Sequence, residues 1–219
     1  MNEYAQELVH YLLRGNDEEA INYITEIIND QNHVSLYETL ITPAMHHIGK
    51  LWESNQISVA DEHLATATCD FVITTIEAQW LQTGESNDKK VMLFGVEEEE
   101  HYLGLKMVAT VFRENGWNVR YMGPNLPFRH AKTAIEIWKP DVVGVSAALS
   151  YRLPKLLETI EQLQEIEHQP DIILGGQAVG HYHVPPEAAN QVFAMRNLTE
   201  LQSWLQQDRK GEKNIDFTP

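Results

Sequence analysis

The chain predicts a four-helix bundle followed by a doubly wound, five-stranded parallel sheet, an α plus α/β architecture. Two observations carry that expectation. Up to about residue 81 the apolar side chains recur at helical spacing, and from residue 91 short apolar runs alternate with helical patterns. Between the two regimes, Thr83-Gly84-Glu85-Ser86-Asn87-Asp88-Lys89-Lys90 is small, polar and charged, which marks a boundary. The expected division is a helical cap over 1–83, a linker over 84–90, a sheet domain over 91–208 and a polar tail over 209–219.

In the cap, Tyr4, Leu8, Tyr11 and Leu12 predict a first helix over 3–14, ended by Gly15-Asn16-Asp17. Asp17 is placed to cap a second helix reaching about Asn29, with Ala20, Ile21, Ile24, Ile27 and Ile28 as its stripe. A third pattern runs from about Ser35 to Ser54 through Leu36, Leu40, Ile41, Met45, Ile48, Leu51 and Trp52, and Pro43 predicts a break or fresh start near Thr42. Ser58 reads as the N-cap of a fourth helix that continues to about Leu81. Short loops between such helices make a bundle.

In the second half, strands are expected at Val91–Val96, Asn118–Met122, Val142–Ser146, Ile172–Leu174 and Val192–Ala194, with helices over 102–115, 128–138, 153–168 and 197–208. Open α/β sheets bind ligands outside the carboxyl ends of their strands. Four features fall there. Glu99 and His101 follow the first strand, and Gly123-Pro124-Asn125-Leu126-Pro127 can turn after the second and present backbone amides. Ser146 ends the third strand with small Ala147 and Ala148 behind it, and Gly175-Gly176 follows the fourth. Together they describe a ligand crevice, in which Glu99 holds one nitrogen of the His101 ring and leaves the other for a metal.

Composition narrows the class. A net charge of −16 argues against binding nucleic acid, which needs lysine and arginine against phosphate. No apolar run is long enough to span a bilayer, and no secretory leader is visible at Met1-Asn2-Glu3-Tyr4. The single cysteine, Cys69, excludes an internal disulfide, so a cytoplasmic setting is expected. The ten histidines match no zinc spacing, and adjacent His46 and His47 do not share a helix face. Neither the dinucleotide G-x-G-x-x-G nor the phosphate-loop G-x-x-x-x-G-K-[ST] occurs, and Gly144-Val145-Ser146-Ala147-Ala148 lacks the second glycine of a nucleophile elbow.

Three ordered motifs now acquire a meaning. Glu99-x-His101-x-x-Gly104, then Ser146 with Leu149 one residue beyond a strict S-x-L, then Gly175-Gly176 resemble the D-x-H-x-x-G, S-x-L and G-G signature of cobalamin-binding proteins. In that family a helical cap precedes a flavodoxin-like or Rossmann-like domain, so the resemblance covers nearly the whole chain. It implies that His101 is the lower axial ligand of cobalt, that Glu99 orients its ring in place of the family aspartate, and that Gly104 lets the next helix approach the corrin. It further implies that Ser146, Gly175 and Gly176 line a slot for the nucleotide tail; Leu149, Asn125 and Leu126 are further candidate cofactor-binding residues.

The cap adds a second resemblance. Trp52, nine intervening residues and Glu62-His63 are similar to the W-x9-E-H motif of light-dependent, adenosylcobalamin-binding photoreceptors. There the tryptophan covers the adenosyl group, the E-H pair contacts it, and light breaks the cobalt–carbon bond, shifting the cap and the oligomeric state. Two departures stand out: the DNA-binding helix-turn-helix domain usual in those proteins is not part of the pattern here, and Glu53 occupies the position after the tryptophan where some of them carry a histidine. The resemblance implies a stand-alone adenosylcobalamin light sensor, homo-oligomeric, signalling to a separate protein and touching neither nucleic acid nor membrane. The alternatives are a corrinoid methyl carrier serving methyltransferases and a cobalamin sensor or store without photochemistry.

Overall fold

The structure, a computed structural model, describes residues 2–27, 32–80, 85–181 and 191–207. The chain divides into two compact units, Met1–Gln82 and Thr83–Pro219.

In the first unit, α1 (Glu3–Arg14) begins at Asn2, whose side chain accepts from the Ala5 amide, and stops at Gly15 in the left-handed region at φ +69°. Its buried stripe is Ala5, Leu8, Val9 and Leu12 rather than the expected set with Tyr4 and Tyr11. Those two tyrosines lie on the flank instead. The Tyr23 hydroxyl donates to the Tyr4 carbonyl, and the Tyr11 and Tyr23 rings meet at 5.5 Å. From α2 (Asp17–Ile27), Ala20 and Ile24 are fully buried while Ile21 and Ile27 are half-buried; Ile28 and Asn29 lie outside the described residues.

The third pattern departs from expectation at its start and agrees with it near Pro43. Asn32, not Ser35, opens it by accepting from the Ser35 amide, so α3 spans His33–Leu36. The backbone then widens into a π-helical turn over Tyr37–Ile41, and α4 (Thr42–Glu53) starts afresh at Thr42 with Pro43 in its first turn, the Thr42 amide donating to Tyr37 five residues back. A proline removes the bond to the carbonyl four residues earlier and crowds it. Here that carbonyl is Thr39, and it accepts a 2.9 Å bond from the Asn2 side chain. The wide turn relieves the clash and Asn2 satisfies the orphaned acceptor.

The long α5 (Val59–Trp80) packs against α1, α2 and α4 through Ala65, Thr68, Cys69, Val72, Ile73 and Ile76. Its start is a reciprocal cap. The Ser58 amide and hydroxyl both donate to the Asp61 carboxylate, at 2.8 and 2.7 Å. The expected end at Leu81 lies outside the described residues, as do Thr83 of the cap, Gly84 of the linker and the tail over 209–219.

The second unit holds β1 (Lys90–Gly95), α6 (Leu103–Glu114), β2 (Asn118–Gly123), α7 (Phe128–Trp138), β3 (Val142–Ser146), α8 (Leu153–Gln164), β4 (Asp171–Gly175), β5 (Val192–Ala194) and α9 (Leu198–Gln206). All pairings are parallel and the strand order is β2-β1-β3-β4-β5. One face, with Met92, Phe94, Val143, Val145, Ile172 and Leu174, packs on Phe128, Ala131 and Ile135 of α7 and Leu156, Ile160 and Leu163 of α8. On the other face Gly144 makes room for the side chains of Leu93 and Ile173, which a Cβ there would strike. α8 ends four residues short of the expected 168; the Ile166 amide turns back onto Leu163, and a second turn through Gln169 at φ +45° leads into β4.

The order reverses between β1 and β3, the point at which such sheets open a crevice. Register places Gly95 beside Ser146 and Ser146 beside Gly175. The loops after β1, β3 and β4 therefore leave the sheet side by side. Among the described residues no helix is long and apolar enough to cross a membrane.

Candidate cobalamin site

The β1–α6 loop starts with a turn in which the Glu99 amide donates to Val96 and Glu98 sits at φ +66°. That turn drives the Glu99 side chain inward, where it is 1% exposed. One carboxylate oxygen accepts from both the backbone and the ring of His101: Oε1 lies 2.9 Å from the amide and 2.6 Å from Nδ1. Oε2 accepts from the Ala148 amide at 2.7 Å, on the far side of the β1–β3 junction. The longer side chain of glutamate thus reaches both partners.

Burial works against ionising Glu99 and is the largest single influence on it. The bonds from the His101 ring, the Ala148 amide and the His101 amide together outweigh it, and the carboxyl stays below the usual glutamate value. An ionised carboxylate only accepts, so Nδ1 is the donor, on a side chain 59% exposed.

The other glutamates of the run are employed elsewhere. Glu97 pairs with Lys155 at 3.1 Å, Glu98 with Arg152, and Glu100 accepts from the Asn125 side chain at 2.9 Å. Glu97 and then Glu158 hold the Lys155 ammonium above the usual lysine value. Asn125 is a clamp on this loop. Its amide donates to the Glu99 carbonyl, its Oδ1 accepts from the Glu98 amide at 2.7 Å, and Leu126 donates to the Gly95 carbonyl while packing on the core. Sequence reasoning missed that role, along with Arg152 and Lys155. An asparagine in the Gly123-Pro124-Asn125-Leu126-Pro127 turn, a residue type that tolerates the left-handed φ of +53° it adopts, was the available signal.

Ser146 is 7% exposed, and its hydroxyl has no hydrogen-bond partner. A buried orphan donor at the head of the crevice fits a ligand that supplies the missing bond. The glycines separate into two kinds. A Cβ on Gly176, at φ +103°, would run into the Ala147 carbonyl, so that glycine serves the chain's own backbone. A Cβ on Gly104 or Gly175 would meet nothing within 4 Å, which leaves their missing side chains available to an approaching ligand. Leu149 is half-buried, and its carbonyl accepts from the Arg152 amide.

In the first unit, Trp52 lies in the last turn of α4. The chain closes behind it with the Asn55 amide on the Trp52 carbonyl, the Gln56 amide on the Leu51 carbonyl and Asn55 at φ +55°. The indole is 47% exposed. Across the short 54–58 connection, Glu62 accepts from Thr66 at 2.8 Å and lies 2.9 Å from His63 Nδ1. The pair is therefore oriented before any ligand arrives.

Among the described residues no three His, Cys, Asp or Glu side chains gather as a chelate. One oriented imidazole suits a metal whose other positions are filled by a macrocycle. The residues present thus fit a corrinoid.

Comparison with known proteins agrees. Two family models, each described as a B12 binding domain, match residues 4–77 and 89–189. The HTH-type transcriptional repressor CarH of Myxococcus xanthus is 25% identical over 173 residues, which are 78% of this chain and 56% of that protein. Dimethylamine corrinoid protein 2 of Methanosarcina acetivorans is 20% identical over 177 residues, 80% of this chain and 82% of that one. The structure of the Methanosarcina barkeri monomethylamine corrinoid protein shares the fold, with a TM-score of 0.74 at 13% identity over 92% of this chain and 96% of that one. With its helical cap and Rossmann-like sheet both matched, the chain belongs to the B12-binding proteins and is a cobalamin-binding protein.

Proposed function

We propose that this chain is a light sensor that binds adenosylcobalamin and passes its signal to a separate protein. The observation that carries the reading is the α4–α5 turn. Trp52, with about half its surface uncovered, lies in the last turn of α4, and the pre-oriented Glu62–His63 pair stands in the first turn of α5. Trp52 and the Glu62–His63 pair would hold the adenosyl group, and His101 would hold the cobalt with Glu99 orienting its ring. Ser146, Leu149, Gly175 and Gly104 would border the cofactor, Gly176 shapes the backbone at Ala147, and Asn125 and Leu126 hold the loop that carries His101. The bound group would supply a cobalt–carbon bond that visible light breaks. A contact to the adenosyl group would exist only in the dark, so its loss would bias a two-state cap and change assembly or affinity for the partner.

A second reading, a methyl-carrying corrinoid protein, is favoured by the relatives named as corrinoid proteins, of which the chain matches 82% of the length in the Methanosarcina acetivorans case. A carrier must open its upper face to partner enzymes, whereas the sensor fills that face with adenosyl. Reconstitution with adenosylcobalamin in the dark, followed by illumination with visible spectra and size-exclusion profiles, separates the two. The sensor predicts tight dark binding and a light-driven change in assembly or in partner affinity. Absent binding, or photolysis with neither change, contradicts it.

A further inference from the structure

We propose that Arg152 and Lys155 form an electrostatic strap, fastened to Glu98 and Glu97, that positions the Glu99–His101 pair. Glu97 to Glu100 are consecutive carboxylates in a chain of net charge −16, and left alone such a run repels itself and spreads into solvent. Each is instead assigned a partner, and the two cations come from one place, the connection from β3 into α8. Lys155 lies in the first turn of α8 and Arg152 immediately precedes that helix. Cations at a helix N-terminus oppose the positive end of its dipole, so the dipole does not account for them. Lys155 is shared between Glu158 of its own helix and Glu97 of the histidine loop, each at 3.1 Å, and Arg152 pairs with Glu98 of that loop.

The strap acts next to the bond that matters. Ala148, which donates to Glu99, belongs to the same β3–α8 connection, so ion pairs and amide fasten one loop to one segment. Glu98 is held from both sides, its left-handed backbone by Asn125 and its carboxylate by Arg152. The Arg152 guanidinium also lies 4.8 Å from the Tyr151 ring, which limits its swing. Exposed ion pairs are individually weak, so the strap tunes how often the loop opens and not whether the domain folds.

The consequence for cobalt ligation rests on the cofactor reading above; the ordering of the loop does not. The test is Arg152→Glu, with the charge-swapped double variant Glu98→Arg/Arg152→Glu as rescue. Hydrogen exchange in the cofactor-free protein is expected to speed up roughly 3- to 10-fold at the amides of His101 and Ala148 in the single variant, and to return towards wild type in the swap. With hydroxocobalamin bound, the fraction showing an imidazole-ligated spectrum should fall and recover in parallel. Unchanged exchange in Arg152→Glu, or a swap that restores nothing, overturns the strap. A wild-type protein that never shows the imidazole-ligated spectrum overturns the cofactor reading, while the exchange data still decide the strap.

Discussion

Glu99 Oε1 lies 2.6 Å from His101 Nδ1, and the same carboxylate reaches the Ala148 amide across the junction of β1 and β3. One buried side chain thus ties the candidate cobalt ligand to a neighbouring strand end. Glu99→Gln presents an amide NH2 where one of these donors needs an acceptor. It should cost about 1–3 kcal/mol in urea unfolding and loosen the His101 ring. Glu99→Asp, one methylene shorter, should keep at most one of the two attachments. Equal stability of all three proteins would show that the double bridge does not matter.

Ser146 and its orphaned hydroxyl make a cleaner case, because the apo chain gains nothing from that group. Ser146→Ala should leave unfolding free energy within about 0.5 kcal/mol of wild type. Cobalamin affinity, measured by titration, should fall roughly 5- to 10-fold for one lost hydrogen bond. A stability loss without an affinity loss would reverse the assignment.

The glycines should divide as their surroundings do. Gly104→Ala, with nothing near its Cβ, should stabilise the cofactor-free protein by a few tenths to about 1 kcal/mol and impair cobalamin binding. Gly176→Ala, facing the Ala147 carbonyl at φ +103°, should destabilise it by about 1–3 kcal/mol. Thermal melts with and without cobalamin read both effects.

At the start of α5, the Ser58 hydroxyl and then its amide hold the Asp61 carboxyl below its ordinary value near 3.8. A carboxyl lowered on folding contributes stability above its unfolded value, and that contribution is lost as pH falls through the folded one. Acid unfolding should therefore steepen below about pH 4, and Ser58→Ala should flatten that slope by returning Asp61 towards its unfolded behaviour. An unchanged slope would mean the reciprocal cap contributes nothing.

Trp52→Ala should weaken adenosylcobalamin binding roughly tenfold while leaving hydroxocobalamin binding largely intact, because only the first presents a group for the indole to cover. Equilibrium dialysis in the dark measures both. Equal losses would assign Trp52 to the fold.

Much of this was legible from local pattern. Strands that alternate with helices predict a parallel sheet, and His101, Ser146 and Gly175 each sit where a buried run ends. What local pattern does not carry is which distant group answers which. The tyrosines of α1 satisfy helical spacing as well as Ala5 and Val9 do, and the packing of α1 against α5, α4 and α2 decides which face is inside. Pro43 signals the fresh start that α4 makes at Thr42, but local pattern does not say that the turn before it widens or that Asn2, far away in sequence, donates to the Thr39 carbonyl. Side-chain direction favours Glu99 among four glutamates, yet whether its longer arm closes on His101 depends on the turn at Glu98 and on Asn125. Arg152 and Lys155 carry no local sign of their carboxylate partners until the loop they fasten is folded beside them.

The most direct test is spectroscopic. Wild-type protein and His101→Ala are loaded with hydroxocobalamin and their visible spectra compared. The account predicts an imidazole-ligated cobalt spectrum in the wild type that is lost in His101→Ala, with exogenous imidazole restoring it. The same spectrum in both proteins would contradict the assignment of His101 as the ligand.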